Sequence, residues 1–239
     1  INIAFGPVLE IWHEYRQEGL DEPINAKVPP IEALEEAAKY TDIAKVIVDT
    51  DNSTVYLSDK KMSLDVGAVA KGFAVELVSQ ELMAQGLESA MVSSGSSIRA
   101  IGKPNDGVRQ HWGVGVQDPR QSIFSDQNLL DVIQISDGSV SSSGDYQRYY
   151  TVDGKRYHHI IDPKTLVPAD YYRQVTVVTE NSGDADFLST ALFVLPLEES
   201  KALVSEFGGV EALWVMADGS TETTEGMKAL LKSYKDAVR

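Results

Sequence analysis

Two adjacent histidines, His158 and His159, lie near the end of the stretch 142–163, which also holds three acids, three bases and four tyrosines. A neutral imidazole is well suited to taking a proton from a hydroxyl near neutral pH. Asp162, in the same stretch, is a candidate to orient it. Asp153-Gly154 between two Tyr-rich runs predicts a tight hairpin. Its second strand would carry the histidines to one end. Neighbouring strand residues face opposite ways, so one histidine is the base candidate and the other a structural neighbour.

Two further stretches could hold a ligand. Between Ser63 and Glu76, small residues dominate: Gly67, Ala68, Ala70, Gly72 and Ala74, with Lys71 among them. Small residues at a helix start let a ligand approach free backbone N–H groups, which favour an anion. The same composition also serves tight helix packing. Around Asp186, Thr190 lies four residues on, hence on the same helical face, and Ser189 precedes it. A carboxylate with hydroxyl or carbonyl oxygens suits Mg2+ or Ca2+ rather than zinc. The alternative is that Asp186 satisfies helix N–H groups and Thr190 bonds back to its own helix. The hydroxyl-rich turn at 93–97 could cradle a phosphate or simply turn the chain.

The composition narrows the chemistry. The 239 residues, 43% apolar, can build one large domain or two closely packed lobes. A net charge of −15 disfavours nucleic acid. The absence of cysteine excludes thiol catalysis, thiolate metal sites and disulfides. No apolar run is long enough to span a membrane. The first residues, Ile1 to Pro7, read as a segment entered midway, and a signal or lipid anchor upstream is expected.

The elements that position these groups follow from period and punctuation. Helices are predicted from Gly6-Pro7 to Gly19, from Pro30, up to about residue 85, from 181, over 196–207 and over 227–237. Strands are predicted at 45–49, 54–57, 90–92, 98–101, 112–116, 129–135, 139–143, 174–179 and 212–216. Ser182 or Asp184 is expected to cap the helix bearing Asp186. Hairpins alternating with helices, without a βαβ repeat, give an α+β fold. His13 and His111 have no supporting constellation.

Three blocks, Leu64-Asp-Val-Gly-Ala-Val-Ala-Lys-Gly-Phe-Ala, Ser143-Gly-Asp-Tyr-Gln-Arg-Tyr and Tyr157-His-His-Ile-Ile-Asp-Pro-Lys-Thr, together resemble the ApbE-type FAD:protein FMN transferases. Asn2-Ile-Ala-Phe-Gly-Pro and Asp186-Phe-Leu-Ser-Thr-Ala-Leu extend the match over essentially the whole chain. The resemblance implies a T-fold-related α+β fold of mixed hairpins and packed helices, one compact unit over 1–239. It implies Mg2+-dependent transfer of FMN from FAD to a threonine hydroxyl of an acceptor flavoprotein, with release of AMP. Acceptors would be subunits of membrane electron-transfer systems. The protein would be a lipoprotein outside the cytoplasmic membrane, touching it only through an upstream anchor. By the same resemblance, His159 is the base, Asn2, Asp65, Lys71, His159 and Ile160 contact FAD, and Ala68 (by its carbonyl), Asp186, Ser189 and Thr190 hold Mg2+. The chain departs from the family pattern at Gly95-Ser96-Ser97, where Gly-Gly and then Asn or Asp is usual, and at Thr165-Leu166 in place of Thr-Gly. The family's upstream region, which carries part of the adenine and flavin pocket, is not in the sequence. A pyrophosphatase giving FMN and AMP, or a flavin-binding protein without catalysis, are the alternatives.

Overall fold

In the computed structural model of the chain, residues 1–122, 125 and 128–237 are described. They fall into two units, Ile1–Val66 with Asp145–Ala169, and Gly67–Gly144 with Asp170–Arg239. Elements are numbered along the whole chain.

The first unit holds α1 (Gly6–Asp21), α2 (Ile31–Ala38), the hairpin β1 (Val46–Asp49) and β2 (Thr54–Leu57), and the hairpin β8 (Tyr149–Val152) and β9 (Lys155–His158). Pro7 starts α1, where its missing N–H costs nothing. Phe5, Val8, Trp12, Leu34, Tyr150 and Ile161 form the core. Trp12 stacks on Tyr157 at 6.0 Å between ring centroids and donates Nε1–H to Leu166 O at 2.8 Å. The turn between β8 and β9 is Asp153-Gly154, with φ of 49° and 79°. Positive φ at both central residues is the two-residue hairpin geometry that this dipeptide predicts.

The second unit is built on a six-stranded sheet in the order β12-β11-β10-β7-β4-β3, antiparallel throughout. Its strands are β3 (Ala90–Ser94), β4 (Ser97–Ile101), β7 (Gly138–Gly144), β10 (Tyr172–Thr179), β11 (Glu211–Met216) and β12 (Thr221–Thr223). A separate ribbon pairs β5 (Trp112–Gln117) with β6 (Leu129–Ile135). Val114, Val116, Ile133 and Ile135 from this ribbon share a core with Ala100, Val140, Val178, Leu213, Val215 and Met227. Helices α3 (Ala70–Ala84), α4 (Ser182–Phe193), α5 (Leu197–Phe207), α6 (Glu225–Leu230) and α7 (Lys232–Ala237) complete the unit. α3 and α4 pack together, and α4 lies on β7 and β10. The mixed helix-and-sheet class agrees with the α+β expectation.

Three local expectations change. The single helix predicted over 227–237 is interrupted at Leu231, which is extended (ψ 134°), buried, and bridged to Ile133 on β6. Tertiary pairing there overrides helical propensity. The short edge strand β12 has no clear signal among its threonines. In the 93–97 turn, the strands reach further in than predicted, leaving only Gly95-Ser96 as the loop, with Gly95 at φ 61°.

Candidate functional site

The Asp186 cluster of the second unit starts with how α4 begins. Asn181 caps it, its side chain accepting from Gly183 N and Asp184 N at 2.7 and 3.2 Å. Neither expected cap does this. Ser182 is instead turned to α3, donating from Oγ to Gly72 O at 2.7 Å and from its backbone N to Glu76 Oε2 at 2.8 Å. A carboxylate on α3 therefore satisfies an N–H of the first turn of α4.

One turn further, Asp186 is only 2% exposed. A buried carboxylate needs partners, and this one has three. Oδ2 accepts from Gly72 N at 2.8 Å, while Oδ1 lies 3.4 Å from both Lys71 Nζ and Ser141 Oγ. Only glycine fits at position 72, since a Cβ there would stand 2.5 Å from Asp186 Cβ and against the Ser182 carbonyl. Strand alternation supplies the rest. Ser141 and Ser143 on β7 both face α4, and Ser143 Oγ meets Ser189 Oγ at 2.9 Å and Thr190 Oγ1 at 3.0 Å. Ser142 between them faces the other way, to Thr176 Oγ1 at 2.8 Å. Ser189 also donates to Asp186 O at 3.0 Å, as does Thr190 at 3.5 Å, the back-bonding that hydroxyls make within helices.

Lys71, Asp186, Ser189 and Thr190 are thus gathered in one place, and Ala68 lies half-buried in the turn just before α3. Among the described residues no group of three or more His, Cys, Asp or Glu could hold a metal. The donors at hand are one buried carboxylate, hydroxyls and backbone carbonyls. That set fits a hard cation, above all Mg2+, which takes one or two carboxylates and completes its shell from substrate oxygens and water. Lys71 Nζ is also 3.4 Å from Gly67 O. A positive charge between Asp186 and this turn is therefore what the cluster accommodates.

The first unit holds the other predicted residues. His158 is buried, with Nε2 2.7 Å from Ala169 O and Nδ1 3.2 Å from Ile160 N. The Ile160 N–H makes Nδ1 the acceptor, so Nε2 carries the proton. Both nitrogens serve the fold, as expected of the structural neighbour. His159 differs. Its backbone N donates to Arg148 O at 3.1 Å, yet its Nδ1 is buried without a hydrogen-bond partner among the described residues. Burial, with His158, Arg148 and Arg16 nearby, lowers its pKa to about 4. Its imidazole is neutral at pH 7.

Asp162 does not orient His159. Its Oδ1 accepts from Lys164 N at 2.8 Å, its N donates to Val167 O and its O accepts from Leu166 N, all within the turn that follows β9. Leu166, standing where the family pattern has glycine, holds that turn at φ 63°. Left-handed backbone costs a side-chain-bearing residue roughly 1–2 kcal/mol. The Leu166 side chain packs on the core around Trp12, which offsets part of that cost.

Asn2 caps the 3₁₀ turn Ile3–Phe5 through Oδ1 and donates Nδ2–H to Thr41 O at 2.7 Å. Asp65 joins the same region, its N–H on Ile3 O at 2.8 Å. Ile160 is buried, with its N on His158 and its O on Ala169 N. Sequence reasoning missed Ser141, Ser143 and Glu76, and took Ser182 only as a cap. The alternating serines of β7 were the one available signal.

An antiparallel α+β protein with a buried carboxylate-and-hydroxyl cluster on paired helices, and a neutral histidine at a hairpin end, is the class these features define. The model of the ApbE family matches residues 1–214, and the chain belongs to that family. A Treponema pallidum (strain Nichols) protein called FAD:protein FMN transferase is 38% identical over 238 residues, 95% of this chain and 63% of the relative. The crystal structure of the ApbE protein of Thermotoga maritima matches with a TM-score of 0.80 at 34% identity, over 96% of this chain and 71% of that one. The flavin transferase ApbE of Vibrio cholerae matches with a TM-score of 0.74 at 26% identity, over 96% and 70%. The chain thus spans less than two thirds of the Treponema relative's length.

Proposed function

We propose that this chain carries the transfer of FMN from FAD to a threonine hydroxyl of an acceptor flavoprotein, with release of AMP and dependence on Mg2+. The observation that carries the reading is Asp186, a carboxylate 2% exposed with Ser141 Oγ beside it and Ser189 and Thr190 on its own backbone carbonyl, in a chain 38% identical to a protein called FAD:protein FMN transferase. Splitting a pyrophosphate is mostly positioning and charge neutralisation, and Mg2+, when bound, would supply the neutralising charge. Asp186, Ser189, Thr190 and the carbonyl of Ala68 would hold it. Lys71 would contribute a further positive charge toward the phosphates. His159, neutral at pH 7, would take the threonine proton as the oxygen attacks. Asn2, Asp65 and Ile160 belong to the reading as FAD contacts on family resemblance alone. The same resemblance supports acceptors in membrane electron-transfer systems and a site of action outside the cytoplasmic membrane.

The test is incubation with FAD, Mg2+ and an acceptor protein carrying a target threonine. Covalent flavin on the acceptor, lost in Asp186→Ala and His159→Ala, is the expected result. Free FMN and AMP without acceptor labelling would instead assign a pyrophosphatase, and no turnover of FAD would leave a binding protein.

A further inference from the structure

Lys71 occupies the place that the proposed divalent cation would take. The ammonium stands 3.4 Å from Asp186 Oδ1 and 3.4 Å from Gly67 O, the carboxylate and the turn that also offer the metal its ligands. Asp186 is 3% exposed at its side chain, so little water screens a second cation there, whereas Lys71 is 35% exposed and has room to leave. Two cations on one buried carboxylate repel. The four-carbon stem of lysine lets its charge move while the helix stays fixed.

We propose that Lys71 is a resident counter-ion which the metal must displace, so that metal entry at Asp186 turns the Lys71 ammonium out toward the substrate's phosphates. The inference rests on the metal reading of Asp186 given above. It adds a sign that reading lacks: removing the lysine strengthens metal binding even as it weakens the hold on an anion. Coupling between sites is commonly 5–150-fold.

The probe is Mn2+ alone, with no flavin, titrated by electron paramagnetic resonance against the wild-type chain, Lys71→Met, Lys71→Arg and Asp186→Asn. Lys71→Met should bind Mn2+ roughly fivefold or more tightly than wild type, while Lys71→Arg, which keeps the charge, should not. The thermal midpoint of Lys71→Met should be lower without metal and should rise further than that of wild type on adding Mn2+. Equal or weaker Mn2+ binding by a folded Lys71→Met would overturn the exchange and leave the metal site standing. Mn2+ binding that survives in Asp186→Asn, or is absent from wild type and Lys71→Met alike, would overturn the metal reading and the exchange with it.

Discussion

At the scale of single residues, His159 carries the clearest consequence. Its pKa is about 4 in the folded chain, against about 6.5 for a free histidine. The folded state therefore binds fewer protons than the unfolded state between those values, and stability rises with pH across that window. The contribution is fully present above about pH 6.5 and is lost as pH falls toward 4. Urea unfolding at several pH values should show this slope in wild type and a flatter one in His159→Asn. If the proposed transfer uses His159 as its base, the acid limb of that reaction should likewise fall well below pH 6.5; a limb at about 6.5 would assign the base to another group. The Asp153-Gly154 turn could be read from residue type, and strand period implied that His158 and His159 face opposite ways; which of the two is the base candidate came from the family resemblance. The missing partner of His159 could not, because Asp162 lies close in sequence and is turned into its own loop by Lys164, Val167 and Leu166.

At the scale of elements, the Asp186 cluster depends on how closely α3 and α4 approach. Gly72 sets that distance, and Glu76 with Ser182 fixes the relative position of the two helices. Gly72→Ala should push the helices apart, at about 1–3 kcal/mol for forcing a methyl into a packed contact. Its unfolding free energy in urea should fall by that amount, and, on the metal reading proposed above, Mg2+ should stabilise it less than it stabilises the wild type. A variant with unchanged stability and metal response would show that the contact yields freely. The run of small residues at 63–76 fits an anion cradle and tight packing equally well by composition. Packing is what Gly72 does, and its N–H also serves Asp186. Sequence period places Asp186 and Thr190 on one helical face. It carries no information about which strand covers that face, so the alternating serines of β7 could not be joined to Asp186 before α4 was seen to lie on β7. The cap of α4 slipped by one residue for a related reason: Ser182, a good capping type, is held by α3, and Asn181 takes the position.

At the scale of the whole molecule, composition excluded thiol chemistry and disfavoured nucleic acid, and the three sequence blocks indicated the family. The division into units was beyond their reach, because each unit is assembled from two stretches far apart along the chain. The first combines Ile1–Val66 with Asp145–Ala169, and the second combines Gly67–Gly144 with Asp170–Arg239. The order of synthesis follows from this. When residue 66 leaves the ribosome, the residues of α1 and α2 have been made but their core lacks Tyr150 and Ile161. Half of the second unit must emerge before that core can close, and the central strand β10 comes later still. Neither unit can be completed from one continuous stretch of chain. A fragment ending at residue 144 should therefore leave Trp12 accessible to a soluble quencher, whereas one ending at 169 should protect it. The growing chain carries two unfinished cores at once, and an excess of acidic over basic residues is a charge pattern that opposes association of such intermediates.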